Sequence, residues 1–179
     1  KREMVTLSKE EVETFLEQID DVEWHALFKL AFTTGLRRSE ILGLTWDDVN
    51  LKQKTLTVNQ TVLRINEVTT ISKTTKNSSS RRSISLDDKT IAELLKLRTH
   101  VDKRRQKAPN WRNNNLVFPV KFETPRDPAK VSQKCKKFAT AIGRPDFTMH
   151  DTRHTHATLL LEAGVNFKVV QMRLGHSSY

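Results

Sequence analysis

The chain has 179 residues, of which 36% are hydrophobic, enough for the core of one ordinary domain. Its 31 Lys and Arg against 21 Asp and Glu give a net charge of +10. This charge favours a polyanionic partner such as nucleic acid. The alternative is a basic, well-solvated domain without such a partner. The single Cys135 excludes an internal disulfide framework, and no apolar run resembles a membrane span or a signal peptide, so we expect a cytoplasmic protein without a membrane partner.

Helical periodicity dominates the first part of the chain. Ser8 lies three residues before Glu11, which is a capping-box pattern, and apolar residues follow at helical spacing. The stretch DVEWHALFKLAFTTG predicts a second, largely buried helix that ends at Gly35. The next stretch, LRRSEILGLTWDDV, predicts a third helix that ends near Trp46.

The middle of the chain changes to a strand pattern. KTLTVNQTVLRI is rich in Thr and Val and alternates, which predicts one strand. NEVTTISKTTKNSSSRRSISLD predicts a strand, a polar tip and another strand, so we expect one small antiparallel sheet. Asp87 then has the position of a helix N-cap before KTIAELLKLRTHVDKRRQ.

The last part of the chain predicts three more helices. KVSQKCKKFATAIG forms a basic helix, and HDTRHTHATLLLEAG a helix in which we expect Leu159, Leu160 and Ala163 to be buried. NFKVVQMRLG predicts a short helix capped by Asn166 and ended by Gly175. The predicted fold class is mainly α with a small antiparallel β-sheet or hairpin (α+β).

One segment, MHDTRHTHATLLLEAG, concentrates groups that could bind a metal or an anion. His150 and His154 are spaced like zinc ligands on a helix, but His156 points elsewhere and Arg153 would repel a cation, so we predict no metal. His150 and Arg153, at i and i+3, fit a phosphate, because arginine offers a planar fork of donors and histidine can donate or move a proton. The residues alone leave open a capped helix with a solvated polar first turn.

Three motifs follow one another along the chain: residues 34–40 (TGLRRSE), 150–158 (HDTRHTHAT) and 174–178 (LGHSS). Together they resemble the TGLRxSE, HxxRHTxAT and LGHSS boxes of the catalytic domain of tyrosine recombinases, the phage integrase family. The resemblance extends over nearly the whole chain. It implies that residues 1–179 form a catalytic domain that cleaves and rejoins DNA at specific sites, and that the N-terminal core-binding and arm-binding domains and a C-terminal tail are absent from this sequence.

The resemblance also assigns roles to residues of the three boxes. Arg37 and Arg153 would hold non-bridging oxygens of the scissile phosphate, where charge develops in the transition state. His150 matches the general base or proton shuttle. His176 matches a further phosphate ligand.

By the same resemblance, the polar tip would contain the lysine of the family's active site. The family has a Lys-Thr pair ahead of an S-x-R stretch, so Lys73 would protonate the leaving 5′ oxygen, with Lys76 as the alternative. Glu40 would orient Arg37, or else it is an exposed helix glutamate.

The nucleophile of the family is a tyrosine that forms a 3′-phosphotyrosyl link and stores the energy of the broken bond. Tyr179 is the only tyrosine of this sequence, and it lies closer to the LGH histidine than the family's nucleophile does. We therefore expect the nucleophile beyond residue 179, with Tyr179 as the less favoured alternative, and a chain that is inactive alone. The reaction requires no metal and no nucleotide cofactor.

The implied partners are double-stranded DNA attachment or recombination sites, further copies of the chain in a tetramer on DNA, and accessory DNA-bending proteins. The implied role is integration or excision of a phage or transposon in a bacterial cytoplasm. Three alternatives remain at this point: a non-catalytic DNA-binding domain that uses its basic helices, a type IB topoisomerase relative and a metallohydrolase.

Overall fold

In the computed structural model, residues 4–65, 68–73, 82–110, 114–121 and 124–175 are described. The helices are α1 (Lys9–Glu17), α2 (Val22–Thr34), α3 (Arg38–Gly43), α4 (Asp88–Gln106), α5 (Pro128–Ala141), α6 (Asp151–Glu162) and α7 (Phe167–Leu174). The strands are β1 (Val49–Asn50), β2 (Thr55–Thr57), β3 (Gln60–Ile65), β4 (Val68–Lys73) and β5 (Ser83–Ser85). The fold class is as predicted, mainly helical with small antiparallel sheets.

The helix ends follow the capping signals of the sequence. The Ser8 hydroxyl accepts a hydrogen bond from the Glu11 N–H, and the Glu11 carboxylate accepts one from the Ser8 N–H, so the capping box is confirmed. Asp87 and Asn166 also cap their helices through side-chain oxygens, as predicted. Gly35 ends α2 in the left-handed conformation with φ of 64°, which favours glycine.

The third helix is shorter than predicted. It ends at Gly43 rather than near Trp46, because the Gln60 side chain donates to the Gly43 carbonyl and Leu44 turns extended. Residues Trp46–Asp48 form a separate 3-10 turn, closed by the Asp48 carboxylate, which accepts from the N–H and hydroxyl of Thr45.

The prediction of a single sheet is also wrong. β1, β2 and β5 form a three-stranded antiparallel sheet, whereas β3 and β4 form a separate hairpin. The predicted strand KTLTVNQTVLRI is interrupted at residues 58 and 59, where the Asn59 side chain donates to Asp48 instead of continuing the alternation. The hairpin packs β3 directly against α3, and Gln60 of β3 pairs with Lys73 of β4.

The part of the core that lies between α1, α2 and α5 is built around Phe15, and the core continues from there to α4 and the three-stranded sheet. The Phe15 ring packs edge-on against Phe28 and Phe32, with centroid distances of 5.3 Å in both pairs, and against Phe138. None of the helices in the described ranges is both long and apolar enough to cross a membrane.

The burial prediction for α6 is wrong. Leu159 and Leu160 are only half-buried, and Ala163 is exposed. The helix instead buries its polar N-terminal half against α2, because those polar groups have hydrogen-bond partners in the interior. Arg153 and His156 donate to carbonyls of neighbouring segments, and the Thr155 hydroxyl accepts from the Leu7 N–H. The buried polar residues are Asp151, Thr152, Arg153, Thr155 and His156.

Candidate active site

Three of the predicted site residues, Arg37, His150 and Arg153, line two cavities together. The first cavity has a volume of about 230 Å³ and the second of about 280 Å³. The polar wall of the first is completed by Arg38, Ser132 and Thr148, and the second extends along α6 and α7 over Ala157, Leu161, Phe167, Val170 and Leu174. The beginnings of α3 and α6, far apart in the chain, therefore meet at one surface.

Arg153 is the most firmly held of the three. It lies in the first turn of α6 with 4% of its surface exposed. Its Nη1 donates to the Gly35 carbonyl at 2.8 Å and its Nη2 to the Leu174 carbonyl at 2.6 Å, so one guanidinium joins the ends of α2 and α7. Burial, with the nearby Arg37 charge, lowers the pKa of Arg153 to about 10, which leaves it cationic at neutral pH. The two bonds use only part of its donors.

Arg37 is more open, and Glu40 fixes it. Its side chain is 47% exposed, whereas Glu40 is buried. The Glu40 carboxylate accepts from the Arg37 N–H at 2.7 Å and from Arg37 Nη1 at 3.0 Å. Glu40 therefore orients Arg37, and the alternative of an exposed helix glutamate is excluded.

Arg82 is a site-adjacent residue that the sequence analysis missed. Its Nη1 and Nη2 donate to the two carboxylate oxygens of Glu40 at 3.0 and 2.8 Å, and its Nε donates to the Arg173 carbonyl at 2.8 Å. Burial alone would raise the pKa of Glu40, but the hydrogen bonds and charge of Arg82, with those of Arg37, lower it overall. The sequence feature that could have identified Arg82 is the S-x-R stretch, which contains it.

Of the three histidines of α6 and its N-cap, His150 and His154 line the second cavity, whereas His156 is buried in the interior. The rings of His150 and His154 meet edge to face at 4.8 Å, and burial, followed by the nearby His150, lowers the pKa of His154. His156 is 4% exposed, and its Nδ1 donates to the Phe32 carbonyl at 2.8 Å. Its Nε2 therefore accepts from Arg173 Nε at 3.1 Å. Burial lowers the pKa of His156 to about 4, so it serves as a neutral connector between α2 and α7.

The remaining predicted residues lie wholly or partly outside the described residues. Only the backbone of Lys73 is described, at the end of β4 beside Gln60. Lys76, His176 and Tyr179 are outside the described ranges. Within those ranges no group of three or more His, Cys, Asp or Glu side chains is arranged to hold a metal ion.

The comparison with known proteins agrees with this geometry. A profile described as the phage integrase family matches residues 5–179. A tyrosine recombinase XerC-like protein of Caldanaerobacter subterraneus subsp. tengcongensis is 31% identical over 98% of this chain and 48% of its own length. The integrase of Staphylococcus phage L54a is 30% identical over 80% of this chain and 41% of its own.

Solved structures match over a similar share of the chain. The Tn1549 transposon integrase in complex with circular intermediate DNA has a TM-score of 0.84 and 25% identity, covering 99% of this chain and 61% of that one. The chain thus spans about half the length of the curated relatives it matches. Because the family profile covers residues 5–179 and the fold is that of tyrosine recombinase catalytic domains, the chain belongs to the phage integrase family.

Proposed function

We propose that this domain is the catalytic part of a site-specific DNA recombinase that cleaves and rejoins strands through a 3′-phosphotyrosyl intermediate. The observation that carries the proposal is the meeting of Arg37, His150 and Arg153 at one surface, although α3 and α6 are remote in sequence. A DNA-binding domain without catalysis needs no such meeting, because scattered basic side chains suffice for backbone contacts.

The two arginines suit a phosphate whose charge increases during reaction. Arg153 is fixed by two carbonyls and Arg37 by Glu40, so neither side chain has to reorganise when a phosphate enters. Each guanidinium can bond non-bridging oxygens and stabilise the pentacoordinate transition state. Fixed donors of this kind lower the barrier more than mobile ones, because their orientation costs nothing at the moment of reaction.

The proton transfers are assigned to three further groups. A tyrosine oxygen attacks phosphorus and gives its proton to His150, while the bond from phosphorus to the 5′ oxygen breaks and Lys73 protonates that oxygen. Attack by a 5′ hydroxyl of a partner strand reverses these steps and releases the tyrosine. We place the nucleophile beyond residue 179, and His176 as a further ligand of the phosphate. No step uses a metal.

The substrate and the assembly follow from the same proposal. The net charge of +10 suits duplex DNA, and relatives carry the names of integrases and recombinases. We propose attachment or recombination sites of a mobile element as substrates and a tetramer on DNA as the active assembly, with N-terminal DNA-binding domains and a C-terminal tail in the full-length protein. Accessory DNA-bending proteins complete the assembly in a bacterial cytoplasm.

The test measures covalent adduct formation by the full-length protein on a nicked duplex that traps the intermediate. Arg153→Ala should lower the cleavage rate by about 10²–10³-fold, and Arg153→Lys should also cleave poorly because an ammonium lacks the planar fork. Arg37→Ala should behave alike with a smaller effect on folding, since Arg37 is half exposed.

The matched control is Arg144→Ala. Arg144 also binds a carboxylate and a carbonyl, those of Glu11 and Thr6, but it lines neither cavity. Its cleavage rate should stay near that of the wild type. Wild-type cleavage by folded Arg153→Ala would refute the assignment, and a wild-type protein that binds DNA without any adduct would favour the non-catalytic binding domain.

A further inference from the structure

Arg82 lies where three segments of the chain meet. It precedes β5, its guanidinium contacts α3 through Glu40, and its Nε reaches the Arg173 carbonyl in the last turn of α7. Only 7% of its side chain is exposed. A Cβ built on Gly175 would lie 3.0 Å from both Cδ and Nη1 of Arg82. Gly175, which has a positive φ, therefore packs closely against the Arg82 side chain.

The hydrogen bonds between Arg82 and Glu40 can fix the orientation of Arg37. Each carboxylate oxygen of Glu40 accepts one bond from Arg82 and one from Arg37. The paired bonds from Arg82 fix the plane of the carboxylate, and the carboxylate in turn fixes the backbone N–H and the guanidinium of Arg37. The position of Arg37 at the cavity therefore depends on a residue that does not line it.

The same contact also decides the charge that a phosphate meets. Glu40 alone would offset the charge of Arg37, because the two side chains form an ion pair. Arg82 forms a second ion pair with Glu40, so the three residues keep a net charge of one positive unit. Of the three residues, only Arg37 lines the two cavities, so it is the member of this net-positive cluster that a phosphate there would contact.

Arg82 also holds the end of α7, a helix that lines the second cavity. Its Nε holds the carbonyl of Arg173, and Arg153 holds the carbonyl of Leu174, the next residue along. The Arg173 side chain fastens the same turn to Ser85 and Thr33. The last turn of α7, which leads to the LGHSS motif, is thus tied to the same cluster that orients Arg37.

We propose that Arg82 is a positioning residue for strand cleavage, which holds Arg37 through Glu40 and the end of α7 through the Arg173 carbonyl. The inference rests on the proposed function for its reaction, but it makes a separate claim about the geometry of Arg37. Arg82 itself is too buried to be a DNA contact, so its loss should act on the cleavage step and leave DNA affinity nearly unchanged.

The kinetic experiment separates binding from cleavage in the full-length protein. Cleavage within the fully bound complex should be about 10- to 100-fold slower in Arg82→Gln, because displacement of a reacting group by about 1 Å costs that much. Arg82→Lys should be intermediate, since it keeps the charge but cannot bond Glu40 and Arg173 at once. Arg144→Gln should cleave like the wild type. Each variant is measured below its melting temperature, so that a loss of stability alone does not change the rate.

A double-mutant cycle tests the route through Glu40. Since Arg82 acts on Arg37 through that carboxylate, Arg82→Gln should add little in a Glu40→Gln background. Full additivity of the two losses, or a wild-type cleavage rate in Arg82→Gln, would overturn the inference. If Arg82→Gln does not fold, a wild-type rate in Arg82→Lys would overturn it equally.

A measurement without cleavage keeps the two proposals apart. In the 179-residue domain, the ¹⁵N–¹H signal of Arg37 Nε should shift or broaden in Arg82→Lys and Arg82→Gln but not in Arg144→Gln. An unchanged Arg37 signal would refute the positioning role whether or not the protein cleaves DNA. An absent covalent adduct together with a displaced Arg37 signal would instead refute only the proposed function.

Discussion

Acidification should weaken this domain through His156, which is buried as a neutral ring between Phe32 and Arg173. Burial lowers its pKa from the ordinary 6.5 to about 4. Between these two values the unfolded chain binds a proton that the native protein does not, so stability decreases as the pH decreases. From about pH 7.5 to about pH 5 the linkage relation gives a loss of about 2 kcal/mol from this single histidine.

The assay is urea unfolding at both pH values, with His156→Gln as the comparison. A glutamine amide can donate to Phe32 and accept from Arg173 but does not titrate, so the variant should lose about 2 kcal/mol less than the wild type over the same interval. His154, whose pKa is also lowered, affects both proteins and cancels in the comparison. Equal losses in the two proteins would show that folding does not lower the pKa of His156, contrary to this reasoning.

Three further outcomes are expected. Gly35→Ala should cost about 2–4 kcal/mol of unfolding free energy in urea titrations, because a Cβ there would lie 2.6 Å from His156 and Leu174 at φ of 64°. The control Gly143→Ala, with φ of 76° and open space around it, should cost only about 1 kcal/mol. Equal costs in the two variants would contradict the predicted clash at Gly35. DNA affinity, measured by fluorescence anisotropy, should fall about 10³-fold between 50 and 200 mM salt if ~6 phosphates are contacted, whereas a flat profile would argue against a DNA surface. The Cys135 thiol, whose pKa burial raises to about 12, should react with a thiol reagent only after unfolding, and rapid labelling of the native protein would disprove its inaccessibility.

The sequence predicted local structure well wherever a single residue decides it. The cap at Ser8 and the left-handed ends at Gly35 and Gly175 depend on neighbours within one helical turn. The local sequence is therefore enough to predict them. The meeting of Arg37 and Arg153 was expected from the motifs that contain them. Their catalytic roles, like those of the other proposed site residues, remain predictions.

The errors arose where distant contacts override local pattern. Leu159 and Leu160 were expected inside because they are apolar, yet α6 buries Arg153 and His156 instead, since carbonyls at the ends of α2 and α7 satisfy their donors. The S-x-R stretch marks the region of Arg82 but does not indicate its partner, because Glu40 lies 42 positions away. Partners of this kind become visible only when the chain is folded.

The long-range hydrogen bonds of α6 also affect the order of events during folding. The bond from Arg153 to Gly35 joins residues 118 positions apart, and the bond from the Leu7 N–H to the Thr155 hydroxyl joins residues 148 positions apart. Contacts that close such long loops form late in folding, because the chain must lose much of its freedom first. A nascent or partly folded chain would then contain its helices before Arg37 and Arg153 meet at the cavities. Refolding experiments should show DNA binding that recovers after the helical circular dichroism signal, and simultaneous recovery would contradict this order.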